Sequence, residues 1–118
     1  MARGDAYVFV TPEYNHGTPP SLLNALDYLV HEWAYKPAAF VSYGGVSAGL
    51  RSVQMTKPVL LSLRIVPIVE AVSIPMFTSS IGADGAFAGD DRQAAAAQTM
   101  LDELRRWEQA LRPLRPSS

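Results

Sequence analysis

Two short segments carry most of the side chains that could do chemistry. The first runs Thr11-Pro12-Glu13-Tyr14-Asn15-His16-Gly17-Thr18-Pro19-Pro20 and brings a carboxylate, an aromatic ring, an amide and an imidazole together between prolines. The second runs Tyr43-Gly44-Gly45-Val46-Ser47-Ala48-Gly49-Leu50-Arg51. Glycines let backbone N–H groups approach a ligand closely, and a helix that begins after them adds further donors. Together the two segments favour a flat ligand with polar edges.

The glycine spacing argues against two common nucleotide sites. The sequence contains no G-x-x-x-x-G-K-[ST], and the spacing of Gly44, Gly45 and Gly49 does not fit G-x-G-x-x-G. Neither a phosphate-loop ATP site nor a Rossmann dinucleotide site is therefore predicted. Taken alone, the Gly44-Gly45 pair is equally well explained as a tight turn after a strand.

Each polar segment follows a predicted buried strand. Residues 6–10 and 38–43 are apolar runs rich in β-forming residues, which is typical of strands buried on both faces of a parallel sheet. In an open α/β sheet, ligands bind outside the carboxyl ends of the strands. The two segments are therefore expected to lie near each other at one edge of the sheet.

The rest of the chain predicts alternating helices and strands. Hydrophobic periodicity predicts a third strand at residues 66–72, a loop at residues 76–89, and helices at residues 19–35, 48–64 and 90–112. Thr18 is the predicted N-cap of the first helix, and Pro58 is expected to bend the second. This order predicts an α/β domain at residues 1–112, with a parallel sheet and helices on both faces, followed by a flexible tail at residues 113–118.

Composition narrows the class of protein. The chain has 118 residues, of which 48% are hydrophobic and 18% charged, as expected of one small globular domain. A formal net charge of -1 predicts no binding to nucleic acid or to an acidic membrane surface. Because cysteine is absent, thiolate catalysis and cysteine-based metal sites are excluded, and no metal site is predicted. No stretch resembles a secretory signal or a membrane helix, so we expect a cytoplasmic protein.

Three stretches of the sequence match a known family. They are Pro12-Glu13-Tyr14-Asn15-His16, Leu23-Asn24-Ala25-Leu26-Asp27, and Ser42-Tyr43-Gly44-Gly45 leading into Ala48-Gly49-Leu50-Arg51. Together they resemble the NADPH-dependent FMN reductase family, whose fold is flavodoxin-like. The resemblance runs from about residue 6 to residue 75. The later loop and helix match only in pattern.

The resemblance implies a flavin-dependent oxidoreductase. Bound FMN would take a hydride from NADPH or NADH and pass electrons to a small acceptor such as a quinone, a free flavin or an azo compound. In the family, the Pro-Glu-Tyr-Asn loop lies along the flavin ring mainly through its backbone, and the glycine pair approaches the pyrimidine end. The flavin does the chemistry, so no catalytic side chain is predicted. The cofactor-binding residues implied in this way are Pro12, Glu13, Tyr14, Asn15, Tyr43, Gly44 and Gly45.

The resemblance also implies what this sequence lacks. Family members carry two further strands, two helices and a phosphate-binding loop before the segment that begins here at Ala6. We therefore expect a truncated domain of about three β-α units that keeps the ring-binding half of the site. In the flavodoxin-like order 2-1-3-4-5, residues 6–10 would form an exposed sheet edge, which favours a homodimer or larger assembly. The alternative is a module with weak or no catalysis that acts in assembly or in flavin binding.

Three single residues allow more than one interpretation. His16 could donate a proton to a reduced acceptor, although a solvated loop histidine is the simpler explanation. Arg51, a cation in the first turn of a predicted helix, either binds an anion such as the phosphate of a nicotinamide dinucleotide or extends into solvent. Arg64 stands where similar sequences use a helix-terminating glycine, so it is expected to be left-handed at a cost of about 1 kcal/mol.

Overall fold

The sheet is parallel and has helices on both of its faces, as predicted. The structure is a computed structural model and describes residues 1–116. Its strands and helices are β1 (Tyr7–Thr11), α1 (Pro20–Asp27), β2 (Lys36–Tyr43), α2 (Leu50–Ser62), β3 (Ile65–Pro67), β4 (Val72–Ile74) and α3 (Asp91–Leu111). Short 3-10 helices occur at His31–Trp33, Phe77–Ser80 and Arg112–Leu114. The α/β fold class is thereby confirmed.

Strand β2 is central and aligns the two polar segments. It pairs in parallel with β1 on one side and with β3 and β4 on the other. The register places Thr11 opposite Ser42, so β1 and β2 end side by side. The loops that follow these strands therefore leave the sheet at the same edge, as predicted.

Each face of the sheet has its own hydrophobic core. On one face, α1 and α2 bury Leu26, Val53 and Leu60 against side chains of β1, β2 and β3. On the other face, α3 buries Met100 and Leu104 against β2 and β4. Alternation along each strand explains this division, because successive side chains of a strand point to opposite faces.

The first helix is shorter than predicted. Its pattern predicted a helix at residues 19–35, but α1 covers Pro20–Asp27 and is followed by a separate 3-10 helix. The chain reverses after α1 and brings Trp33 back, so that its Nε1–H donates to Leu26 O at 3.1 Å. Tertiary packing, not helical periodicity, therefore buries Trp33. Thr18 is not the N-cap of α1 either. Pro19 occupies the N-cap position, where no side chain caps the helix, and the Thr18 hydroxyl contacts Thr56 Oγ1 instead.

The third predicted strand is divided in two. Residues 66–72 were expected to be continuous, but β3 and β4 are three-residue strands that pair with opposite ends of β2. Residues 68–71 lie between them opposite only Ala39 and Phe40, which leaves two extra residues on this side of the pairing. The chain bulges there, and Val69 is 86% exposed. A period-two pattern cannot reveal such a register change.

The left-handed residue at the end of α2 was predicted correctly, unlike the cap of α1. Arg64 has a φ of 61°, which confirms the left-handed residue expected after α2. Asp90 caps α3 through a capping box, because its carboxylate accepts from the Gln93 N–H at 2.7 Å and the Gln93 side chain accepts from the Asp90 N–H at 3.1 Å. The interior Pro58 is accommodated within α2.

The residues predicted to form a tail begin with structured contacts. Arg112–Leu114 form a 3-10 helix, and the Arg115 guanidinium pairs with the carboxylates of Glu108 and Asp5. The buried Glu108 carboxylate accepts hydrogen bonds from both Arg112 and Arg115, and these bonds hold Arg115 in place. The domain boundary at residue 112 stays a prediction, and Ser117 and Ser118 lie outside the described residues.

Candidate functional site

The Pro12–Gly17 loop (residues 12–17) is shaped by a two-residue turn. Tyr14 and Gly17 exchange backbone hydrogen bonds of 3.0 and 2.9 Å. The two central residues, Asn15 and His16, have φ angles of 48° and 69°, the conformation of a type I′ turn. Asparagine tolerates this conformation well and histidine less so. The left-handed backbone of the turn therefore accounts for an asparagine at position 15. The neighbouring Tyr14 side chain is 56% exposed.

The glycine loop (residues 43–49) depends on two of its glycines for its shape. Gly49 has a φ of +77°, and a Cβ there would lie 2.7 Å from Tyr43 O. A Cβ on Gly44 would lie 3.0 Å from Gly49 N. Both glycines therefore let the chain fold back on the end of β2. Gly45 differs, because a Cβ there would meet no heavy atom within 4 Å.

The end of β4 fixes the glycine loop from the other side. Gly44 N–H donates to Ile74 O at 3.2 Å, while the amides of Met76 and Phe77 donate to Gly45 O and Gly44 O at 2.9 and 3.2 Å. The Tyr43 ring packs edge-on against Phe77, with ring centroids 5.1 Å apart. The carbonyls of Gly44 and Gly45 are thus tied to the chain behind them.

The Glu13 carboxylate joins the two loops. Its Oε1 accepts from the Arg51 backbone N–H at 3.0 Å, and its Oε2 accepts from Arg51 Nε at 2.6 Å. The hydrogen bond from the Arg51 side chain is the main reason why the pKa of Glu13 lies below its usual range. Arg51 also donates to Ser47 Oγ at 3.0 Å. The anionic partner of Arg51 in the structure is therefore Glu13, which neither interpretation of Arg51 from the sequence foresaw.

Buried hydroxyl groups connect the Pro12–Gly17 loop to α2 at both ends. Thr11 Oγ1 lies 3.3 Å from Ser52 Oγ at one end, and Thr18 Oγ1 lies 2.8 Å from Thr56 Oγ1 at the other. Thr56 also donates to Ser52 O at 2.7 Å. Sequence reasoning missed these contacts. The available signal was a pair of hydroxyl residues, Ser52 and Thr56, four positions apart on one helix face.

Backbone donors remain available on both loops. Among residues 1–116, the N–H groups of Glu13, Asn15, His16, Gly45, Val46 and Ser47 donate no hydrogen bond. Buried N–H groups are nearly always paired, so a set of free donors at a sheet edge is solvated or binds a ligand. Such donors suit the carbonyl oxygens and ring nitrogens along one edge of a flat heterocycle.

The predicted site residues therefore come together as two groups at one edge of the sheet. Pro12, Glu13, Tyr14 and Asn15 lie in the first loop, and Tyr43, Gly44 and Gly45 lie in the second. Their role in binding a cofactor stays a prediction. Within residues 1–116, no group of three or more His, Asp or Glu side chains could hold a metal ion. The described helices include none that is both long and apolar enough to cross a membrane.

Comparison with protein families settles the relationship. A model of the family described as NADPH-dependent FMN reductase matches residues 1–79, about two thirds of the chain. The chain belongs to the NADPH-dependent FMN reductase family. The matched part contains both loops and all four strands, and the resemblance noted in the motifs is confirmed.

Individual relatives agree with this assignment. The chain is 45% identical to an NAD(P)H-dependent FMN reductase of Schizosaccharomyces pombe over 76 residues, which are 64% of this chain and 38% of the relative. It is also 45% identical to an NADPH:quinone oxidoreductase of Arabidopsis thaliana over 55 residues, 44% of this chain and 28% of the relative. The chain therefore spans well under half the length of these relatives.

A solved structure shares the fold. It is FerB, a flavoenzyme NAD(P)H:(acceptor) oxidoreductase from Paracoccus denitrificans, which superposes with a TM-score of 0.76 at 26% identity. The match covers 93% of this chain and 64% of FerB. It thus extends past the residues matched by the family model.

Proposed function

We propose that this chain holds the ring of FMN in an oxidoreductase that takes electrons from NADPH or NADH and passes them to a small acceptor such as a quinone or a flavin. The observation that carries the proposal is the pair of adjoining loops at the carboxyl ends of β1 and β2, which present free backbone N–H groups beside the open space at Gly45. The names of the family and of the relatives support the same activity.

The described residues fit the flavin ring better than the flavin phosphate. Free N–H groups on both loops match the polar edge of the isoalloxazine, and the exposed Tyr14 ring offers a flat apolar surface beside it. The N-terminus of α2 would ordinarily suit a phosphate. Here it is occupied, because Glu13 accepts from the Arg51 N–H and side chain. We therefore do not expect the phosphate at that position.

The protein's own contribution is binding and orientation. FMN, when bound, supplies the hydride and electron transfer. The Pro12–Gly17 loop would hold one edge of the ring through its backbone, with Pro12, Glu13, Tyr14 and Asn15 placed along it. Tyr43, Gly44 and Gly45 would lie at the pyrimidine end. A donor at this end tunes the ring electrostatically, and no side chain of the two loops is required as an acid or a base.

The test is an FMN titration of wild type and of Gly45→Ala, followed by flavin fluorescence. We expect saturable micromolar binding by wild type. The added methyl of Gly45→Ala meets nothing within 4 Å in the protein, so folding should be unaffected. If the ring lies against Gly45, the methyl occupies its place, and Kd should rise at least about tenfold, which is about 1.4 kcal/mol. NADPH and NADH oxidation with a quinone acceptor then tests the activity.

Gly4→Ala is the control at a distance from the site, because Gly4 precedes β1 at the opposite end of the sheet. Its added Cβ would lie 3.2 Å from the Tyr7 ring, so circular dichroism first checks that this variant is folded. It should leave Kd unchanged. An equal Kd for Gly45→Ala and wild type would contradict the assigned ring position. Absence of wild-type binding up to about 1 mM FMN, where binding is worth only about -4 kcal/mol, would contradict the proposal. It would instead favour a module that acts in assembly.

Self-association is the second part of the proposal. Within residues 1–116, β1 pairs with β2 only, and its Val8 and Val10 are 38% and 67% exposed. Exposed apolar edge strands promote pairing with another chain. We propose that a second copy, or a partner chain, covers this edge. Light scattering at micromolar concentration tests it: a dimer that Val10→Lys converts to monomer is expected, whereas a monomeric wild type would refute self-association. A cytoplasmic location stays a prediction.

A further inference from the structure

Glu13 acts as an N-cap for a helix to which it does not belong. Helix α2 begins after Gly49, which has no side chain to cap the first N–H groups. Glu13 supplies the missing acceptor from another loop, since its Oε1 accepts from the Arg51 N–H at 3.0 Å. The Glu13 side chain is only 10% exposed. A carboxylate at this position satisfies an otherwise unpaired donor and interacts favourably with the positive end of the helix dipole.

Arg51 connects this carboxylate to the glycine loop. A cation in the first turn of a helix is unfavourable by itself, because the dipole is positive there. Its guanidinium is held on one side by Glu13 Oε2 at 2.6 Å and on the other by Ser47 Oγ at 3.0 Å. Arg51 thus contacts both loops at once and has a reason to occupy an otherwise unfavourable position.

The Glu13–Arg51 pair is the contact nearest the middle of the Pro12–Gly17 loop. Hydroxyl contacts fix the loop where it leaves β1, at Thr11, and where it approaches α1, at Thr18. Between these ends, the Tyr14–Gly17 turn makes backbone hydrogen bonds only to itself, and its Gly17 packs against Met55 of α2. These contacts join the turn to α2, whereas the Glu13–Arg51 pair also joins it to the glycine loop through Ser47. Without the Glu13 contact, that turn would keep its internal shape but could change its direction relative to the glycine loop.

We propose that Glu13 and Arg51 are positioning residues, which hold the two loops in the relative orientation that FMN requires. The inference rests on the proposed function in one respect only, namely that FMN is the ligand that senses the orientation. The other part of the proposal, that the Glu13–Arg51 pair holds the two loops to each other, concerns the protein without ligand. Neither residue needs to touch the flavin through its side chain.

The ligand-free test is amide hydrogen exchange of the 118-residue chain in Glu13→Gln, in Arg51→Met and in the double variant. If the pair couples the loops, each single variant should speed exchange in both segments, 12–17 and 45–51, by at least about fivefold, while β2 and α3 stay protected. The double variant should add little to either single variant. Faster exchange confined to the mutated segment, or spread over the whole protein, would overturn the coupling.

FMN titration of the same variants tests the consequence for binding. Kd should rise on the order of tenfold at temperatures where each variant remains folded. Because the pKa of Glu13 is lowered by its hydrogen bond with Arg51, the wild-type Kd should weaken only below the ordinary glutamate pKa of 4.5. Glu13→Gln should lack that step. The matched control is Glu103→Gln, which breaks the exposed Glu103–Arg106 pair on α3 and should change neither readout.

The outcomes separate the two proposals. If wild type binds FMN, and Glu13→Gln and Arg51→Met bind it with the same Kd and the same dependence of Kd on pH, the positioning role is overturned. The proposed function is then unaffected. Wild type that binds no FMN would overturn the proposed function and the role in flavin binding together. The exchange data would then still decide whether Glu13 and Arg51 couple the loops.

Discussion

Gly49→Ala should destabilise the protein far more than Gly45→Ala, although both lie in the glycine loop. Gly49 has a φ of +77°, where an L-residue costs about 1 kcal/mol. Its new Cβ would lie 2.7 Å from Tyr43 O and 3.1 Å from Tyr43 N. Tyr43 ends β2 and is paired with Ile74, so this backbone cannot easily recede, and such overpacking costs about 1–3 kcal/mol. Lower entropy of the unfolded chain offsets about 0.4–1 kcal/mol of the total.

The net loss should be about 2–3 kcal/mol in the free energy of unfolding, or a fall in Tm of roughly 10 °C for a domain of this size. Urea and thermal unfolding followed by circular dichroism measure it. Gly45→Ala is the control and should unfold within about 0.5 kcal/mol of wild type or slightly above it. A Gly49→Ala variant with a Tm within about 2 °C of wild type would refute this assignment of strain and close contact.

Three further changes test other parts of the structure. Arg64→Gly removes a left-handed arginine at φ 61° and should raise unfolding free energy by about 0.5 kcal/mol, since relief of strain exceeds the added chain entropy; Arg64→Ala should give no gain. His16→Gly should stabilise slightly for the same reason, and urea unfolding measures both. Hydrogen bonds from Arg112 and Arg115 lower the pKa of Glu108. The ionised carboxylate therefore contributes its full share of the unfolding free energy above pH 4.5, and this share is lost as the pH falls through the lowered pKa of Glu108. Glu108→Gln should lose about 1 kcal/mol at pH 7 and flatten the acid dependence, and a wild-type slope that persists would contradict this.

The sequence predicted the first two strands, the parallel order and the placement of both loops, because these depend on local composition and on the rule that parallel strands end together. The left-handed Arg64 follows equally from local residues, whereas the predicted Thr18 cap was wrong because the cap of α1 is Pro19. The errors arose where distant parts of the chain decide. Trp33 continues the helical pattern of α1 yet is buried by chain reversal, and the bulge between β3 and β4 is imposed by their pairing with β2.

The Glu13–Arg51 pair shows the same limit within the site. Each residue was noticed separately, Glu13 as a loop carboxylate and Arg51 as a misplaced cation. Nothing in the sequence indicated that they meet, because they are 38 positions apart along the chain. The contact exists because β1 and β2 end in register. Glu13 lies two residues after Thr11, the β1 residue paired with Ser42, so a shift in that register would move Glu13 away from the N-terminus of α2.

Backbone strain is concentrated at the end of the sheet where β1 and β2 finish and the two loops begin. Left-handed residues there are Asn15, His16, Ala48, Gly49 and Met76. His16, Ala48 and Met76 each cost on the order of 1 kcal/mol there, whereas Asn15 tolerates the conformation, so the surrounding contacts must hold these three residues in place. Strain of this kind persists where the structure over-determines it, and it clusters at binding sites. Contacts of Glu13, of Arg51 and of the end of β4 hold the strained backbone here. Because these contacts lie within the protein itself, we expect the site to be formed before any ligand binds and to be stabilised by the contact between its two loops.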